Sequence, residues 1–200
     1  VVIVVGYVGG AAAKLRGAPA LGEGAFIVAA AAFGASIALI GQMYHLSGDE
    51  TQALFAWCAG TALAAAALRS GPLTVGAALL AGFWMHVTAV SNIWRIHSPS
   101  LLFLAMVAVL YALSFWTQSR AARHVLLVSL YWFVCMLFGG AGSLHAPLLL
   151  AGASVAMFAA GRRWPQDARR WLGLGSGLPV QALLGFLVGV GVVQVELVDE

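Results

Sequence analysis

The chain has 200 residues, 62% of them hydrophobic and 8% charged, with ten basic and seven acidic side chains and a formal net charge of +3. Globular domains carry about 25% charged residues, so these few charges cannot furnish a polar shell. That composition excludes a water-soluble domain, a disordered chain and a nucleic-acid binder, and leaves an all-α, polytopic transmembrane helical bundle.

A span needs about 20 apolar residues to cross roughly 30 Å of hydrocarbon. Eight apolar runs follow one another, joined by short loops, so residues 1–200 read as a single integral membrane domain. The first run, Val1 to Ala13, is short. Residue 1 is Val and lies inside that run, so the first span is expected to be truncated and the chain to be a fragment lacking its natural N-terminus. The others run at about Ala25 to Leu46, Ala53 to Leu68, Pro72 to Val90, Leu101 to Gln118, Val125 to Gly140, Ala146 to Gly161 and Trp171 to Val195. Continuous runs without alternation exclude a membrane β-barrel. Cys58 and Cys135 lie in apolar stretches with no CxxC partner and read as small core residues.

Loop charges orient this arrangement. With eight spans, Lys14, Arg16, Arg69, Arg120, Arg123, Arg162, Arg163, Arg169 and Arg170 fall on one side, and Arg95 falls on the other with Asp49, Glu50 and the acidic tail. The positive-inside rule then puts the arginine loops in the cytoplasm of a bacterial inner membrane.

Lipid is as apolar as leucine, so small residues at four-residue spacing must let the helices approach. Such stripes are Ala30–Gly34–Ala38, Ala56–Gly60–Ala64, Ala78–Gly82, Gly152–Ala156–Ala160, Gly173–Gly177 and Gly185–Gly189. Trp57, Trp94, Trp116, Trp164 and Trp171 fall near ends of spans and read as interfacial anchors.

The segment Gly41-Gln42-Met43-Tyr44-His45-Leu46-Ser47-Gly48-Asp49-Glu50 closes the second span. Gln42, His45 and Asp49 continue the Gly34–Ala38 stripe, and His86 continues Ala78–Gly82, which directs them toward neighbouring helices. Asn92, Arg95, His97 and His145 lie on the same side. Three readings are open. The first is a site at the outer mouth, formed by Gln42, Tyr44, His45, Asp49 and His86, that binds or transports a small or lipid-like solute. The second is a hydrolytic or metal site, although no HxxxH or HExxH spacing supports one and no metal is assigned. The third is a set of polar groups that cap helices and bond loops, in a non-catalytic subunit packed against a membrane-protein partner or a second copy. No phosphate loop, nucleotide fingerprint or haem motif indicates a cofactor. No charged residue lies in the middle of a predicted span, which argues against a proton-coupled pump. Thr61, Ser129, Ser154 and Gln181, the mid-span polar groups, are expected to bond their own helix backbones.

The Gly41-Gln42-Met43-Tyr44-His45-Leu46-Ser47-Gly48-Asp49 stretch, followed by Trp57 and Leu68-Arg69-Ser70, resembles bacterial predicted membrane proteins of the family called domain of unknown function 2157. The resemblance covers roughly residues 20 to 90. It implies a membrane protein in which Gln42, Tyr44, His45 and Asp49 matter, and it brings no activity, because the family has none assigned.

Overall fold

A computed structural model describes residues 1–43, 50–91, 99–139, 145–164, 166 and 177–198. Those residues form eight helices and no strand: α1 (Val2–Leu15), α2 (Pro19–Met43), α3 (Glu50–Leu68), α4 (Gly71–Ser91), α5 (Pro99–Trp116), α6 (Arg120–Gly139), α7 (His145–Arg163) and α8 (Leu178–Val198). Each corresponds to one apolar run of the sequence. Among the described residues, Pro19–Met43, Glu50–Leu68 and Gly71–Val90 are long and apolar enough to cross a membrane, and Val2–Leu15, Leu101–Trp116 and Leu178–Gly191 are shorter apolar helices. The protein is a helical membrane bundle.

Local chemistry sets the turns. Gly17 has φ +85° and lets the chain reverse after α1. Pro19 then opens α2, where its missing N–H and fixed φ cost nothing. The turns after α3 and α5 share one design. Arg69 (φ 48°) and Gln118 (φ 55°) adopt the left-handed conformation that ends a helix. The next residue, Ser70 or Ser119, sends its N–H back to Ala65 O (3.2 Å) or Ser114 O (2.9 Å). Its hydroxyl then accepts from the first turn of the following helix, Leu73 N (3.3 Å) or Ala122 N (3.4 Å).

The even-numbered helices touch in series, α2 to α4 to α6 to α8. α1 packs on α2, α3 on α2 and α4, α5 on α4 and α6, and α7 on α6 and α8. α4 lies near the centre, and its Ala77, Ala78 and Ala81 join Cys58, Leu110, Ala122 and Leu126 in the largest buried cluster.

Glycines make the close contacts. A Cβ on Gly34 would lie 2.2 Å from the Trp57 indole, one on Gly60 2.5 Å from Phe33, and one on Gly82 2.5 Å from Ser129 Oγ. These three stand at helix contacts, as the stripes require. Other stripe positions do not. Ala38, Ala56, Gly152 and Ala156 are exposed. α7 packs through Leu150, Ser154 and Gly161 instead. Ser154 is two residues, or about 200° of helix rotation, from the expected Gly152. Trp57, expected as an interfacial anchor, seats its ring on Gly34 and donates its indole N–H to Ala30 O at 2.9 Å. A contact the stripes omitted joins α1 to α2: a Cβ on Gly22 would lie 2.6 Å from Gly10 O, and one on Gly6 2.8 Å from Ala29 Cβ.

Candidate functional site

Contacts between turns gather the basic residues at one end of the bundle. Glu23, in the second turn of α2, pairs with Lys14 at the end of α1. It also accepts from the Ser70 hydroxyl between α3 and α4. α2 begins six residues before the apolar run does, which brings this carboxylate inside the helix. Thr74 Oγ1 lies 2.8 Å from both the Ser70 carbonyl and Thr117 Oγ1. Arg69 stacks on Trp116 with 3.9 Å from guanidinium carbon to ring centre. Arg123 is buried, stacks on Phe115 and donates to Ser114 Oγ (3.1 Å) and O (3.3 Å). Arg120 opens α6 and is exposed; Arg162 and Arg163 close α7. Among the described residues of this end, Glu23 is the acidic side chain set against Lys14, Arg16, Arg69, Arg120, Arg123, Arg162 and Arg163.

A groove of about 770 Å³ begins there. Gly71, Pro72, Ser119, Arg120 and Ala121, from the first turns of α4 and α6 and the turn before α6, line one end of it. Ile27, Ala30 and Ala31 of α2, Trp57 and Thr61 of α3, and Leu73, Val75, Gly76, Leu79 and Leu80 of α4 form its walls. From Gly71 to Leu80 it follows α4 for roughly 14 Å at ~1.5 Å per residue. Ile27 and Leu79 are 50% and 57% exposed, so the groove opens sideways on the surface that hydrocarbon covers. Thr61 adds little polarity, because its hydroxyl donates to Trp57 O at 2.8 Å. An apolar wall with the cationic residue Arg120 at one end suits a molecule with an acyl tail and an anionic head.

Of the residues singled out from the sequence, Gln42 and His86 lie toward the opposite end. Gln42 is exposed near the end of α2, beyond the last packed position of its stripe, Gly34. Tyr44, His45 and Asp49 lie outside the described residues, as do Asn92, Arg95 and His97. His145 opens α7. His86 is half-buried on α4 and faces α6, where Trp132 Nε1 donates to its Nδ1 at 3.2 Å. Its bonded partner is an indole rather than a group from α2. Among the described residues no three His, Cys, Asp or Glu side chains converge where they could hold a metal ion.

A second set of polar groups lies between α6, α7 and α8. His124, one residue before the sixth span, has its Nδ1 2.8 Å from Gln181 Nε2. Burial first, and the neighbouring Arg123 charge second, push the His124 pKa below the ordinary histidine value. The neutral ring this favours can accept from the amide N–H. Gly177 makes room for that ring: a Cβ there would come 2.4 Å from His124 Cε1. Gln181 and Ser154 are each 3% exposed, and Gln181 Oε1 and Ser154 Oγ have no protein partner. Thr61 and Ser129 do bond their own helices as expected, Ser129 to Val125 O at 3.0 Å, but Gln181 and Ser154 do not.

Residues 1–74 match the model of a family described as predicted membrane protein (DUF2157). The chain is similar to that family from α1 through the first turn of α4. The matched part starts earlier and ends earlier than the roughly 20–90 covered by the sequence resemblance. It holds the Gly10–Gly22 approach, the Gly34–Trp57 contact and the Lys14–Glu23–Ser70 link, and it stops short of His86 and Arg120. No curated protein and no solved structure matches the chain.

Proposed function

We propose that this membrane protein binds a lipid-like molecule in the groove between α2, α3 and α4, with an anionic head at Arg120. The carrying observation is the groove itself: an apolar channel of about 770 Å³, open to the side, that ends at Arg120 and the first turns of α4 and α6. The excess of basic over acidic groups at this end favours an acidic head, since each Lys or Arg near an anionic membrane surface contributes about 1 kcal/mol of attraction. The arginine end faces the cytoplasm of a bacterial inner membrane in this reading, following the positive-inside rule. The lipid-like ligand of the sequence reading is kept, and its seat moves from the Gln42–His86 end to the arginine end.

Native mass spectrometry of the detergent-solubilised protein tests it. Wild type should retain acidic phospholipid in preference to zwitterionic. Arg120→Gln should lose that preference, and Ala31→Trp, which puts a large ring on the groove wall, should lose the bound lipid. Equal retention of the same lipids by all three proteins would overturn the proposal. Orientation is read separately by single cysteines at positions 16 and 52 on a background lacking Cys58 and Cys135. An impermeant reagent applied to intact cells should label position 52 and spare position 16, and the reverse pattern would invert the assignment.

A further inference from the structure

We infer that the groove between α2, α3 and α4 takes a lipid with two acyl chains lying side by side, rather than a single-chain amphiphile, an inference that rests on the lipid seat proposed above. Width decides it. The groove has about 770 Å³ but follows α4 for only roughly 14 Å, from Gly71 to Leu80 at ~1.5 Å per residue. An apolar cavity of about 150 Å³ takes benzene, which is about 25 Å³ for each carbon. A hydrocarbon chain with ~1.5 Å bonds in extended zigzag advances about 1.3 Å per carbon. One chain over the length of the groove is therefore roughly eleven carbons and about 280 Å³. The groove has nearly three times that volume. Two chains abreast fill most of it, and the balance goes to bends and to the open side. A single chain would touch one wall and leave the other without a partner, and dispersion attraction is lost once such a gap opens.

Small side chains on all three helices make this width: Ala30 and Ala31 on α2, Thr61 on α3 and Gly76 on α4. Gly76 stands midway along the run of the groove on α4. At Gly34, Gly60 and Gly82 the space of the missing Cβ is taken by a neighbouring side chain within 2.5 Å. At Gly76 the nearest atom to such a Cβ would be Thr61 Cγ2, at 3.9 Å. No helix closes on this glycine, so it keeps the middle of the groove open instead of serving a helix contact. Thr61 offers it a methyl group, and the Thr61 hydroxyl is already bonded to Trp57 O, so nothing polar interrupts the wall at this point.

Both chains of such a lipid share one head, which matches a groove with the cation Arg120 at one end. The lateral opening beside Ile27 and Leu79 admits the two chains together from the bilayer, without threading either between helices.

Native mass spectrometry of the detergent-solubilised chain, with phosphatidylglycerol and lysophosphatidylglycerol carrying the same acyl chain, tests this, because only the number of chains differs. Wild type should retain the diacyl lipid several-fold more than the lysolipid. Gly76→Trp adds ten side-chain heavy atoms, about 250 Å³ at the same packing and close to the volume of one chain. It should lose the diacyl lipid and keep the lysolipid. Equal retention of both lipids by wild type overturns the inference. So does an unchanged diacyl-to-lyso ratio in folded Gly76→Trp, which would place the preference with lipid bound elsewhere. Should Gly76→Trp fail to fold, Ala31→Trp on the exposed α2 wall narrows the same groove and is read in the same way. Arg120→Gln separates this inference from the seat beneath it. A groove that holds acidic lipid by one chain shows equal retention of the two lipids, with both lowered by Arg120→Gln. Where no seat exists, retention of both is indifferent to Arg120→Gln.

Discussion

The two halves of the bundle use glycine for different ends. In α1–α3, glycines seat rings or backbone: Gly10 faces Phe26, Gly34 faces Trp57, Gly60 faces Phe33, and Gly22 meets the Gly10 carbonyl. From α4 onward most of the closely packed ones admit polar side chains: Gly82 faces Ser129 Oγ, Gly177 faces His124, and Gly185 faces Ser154 Oγ, while Gly161 meets Leu178. The first pattern gives close, dry, shape-fitted contact between helices. The second carries hydrogen-bonding groups into the interior, where one of them, Ser154 Oγ, lacks a protein partner. A small residue in a membrane helix thus has no single meaning; what stands opposite decides whether it tightens the fold or makes room for polarity.

Substitutions at the two kinds of glycine break or sharpen that contrast. Gly34→Leu should have the largest effect, because even its Cβ would lie 2.2 Å from a ring that has no flexible end to move aside. Overpacking of this kind costs about 1–3 kcal/mol or more, so the yield of monodisperse folded protein in detergent should collapse. Gly152→Leu, at a site with nothing within 4 Å, should leave that yield unchanged. Equal tolerance at both positions would mean that ring seating does not hold the first half together.

Glu23→Gln comes next. It removes the ion pair with Lys14 and weakens the bond from Ser70, which together tie the α1–α2 hairpin to the α3–α4 turn. The pair is part-exposed, so the expected loss is about 1 kcal/mol. A double-mutant cycle with Lys14→Met, followed by thermal unfolding, should return a coupling of that size. Strict additivity would show that the two charges do not depend on each other.

His124 gives the smallest effect and a pH signature. Its folded pKa lies below the ordinary histidine value of about 6.5. Above that value the ring is neutral whether folded or unfolded, and it contributes no pH dependence. As pH falls below it, the unfolded chain takes up a proton that the folded chain resists, so stability declines until the folded pKa is passed. His124→Gln should flatten this part of the stability profile in detergent. A His124→Gln profile that falls as steeply as wild type would remove the histidine from the account.

The existence and order of all eight helices were legible in hydropathy, because a continuous apolar run of span length has few other uses. The side on which basic turns collect was also readable, and the contacts from Lys14 to Ser70 and from Thr74 to Thr117 now join those turns physically. Helix faces were less legible. Gly34, Gly60 and Gly82 stood where their stripes put them, yet the α7 stripe turned outward, since an Ala-rich helix offers several small faces and only its neighbours choose among them. Gly6 and Gly10 carry the same four-residue signal, but they lie in the run read as truncated. The groove was invisible in sequence because it takes parts of four helices that are far apart in the chain. Ser154 and Gln181 read as self-satisfied, and only the packing of α6 against α7 and α8 places them away from backbone partners. Tyr44, His45 and Asp49 lie outside the described residues, so the structure leaves the polar segment between α2 and α3 as the sequence presented it.

The lipid seat is the functional centre of this account, and photocrosslinking tests it most directly. An acidic phospholipid with a diazirine on its acyl chain is incorporated with the protein into bilayers, illuminated, and its adducts mapped by peptide mass spectrometry. The account predicts adducts concentrated on the α2 stretch around Ile27 and Ala31 and the α4 stretch from Val75 to Leu80, and reduced there in Arg120→Gln. Adducts spread evenly over lipid-facing side chains, with Leu183 and Leu187 of α8 labelled as heavily as the groove, would contradict it.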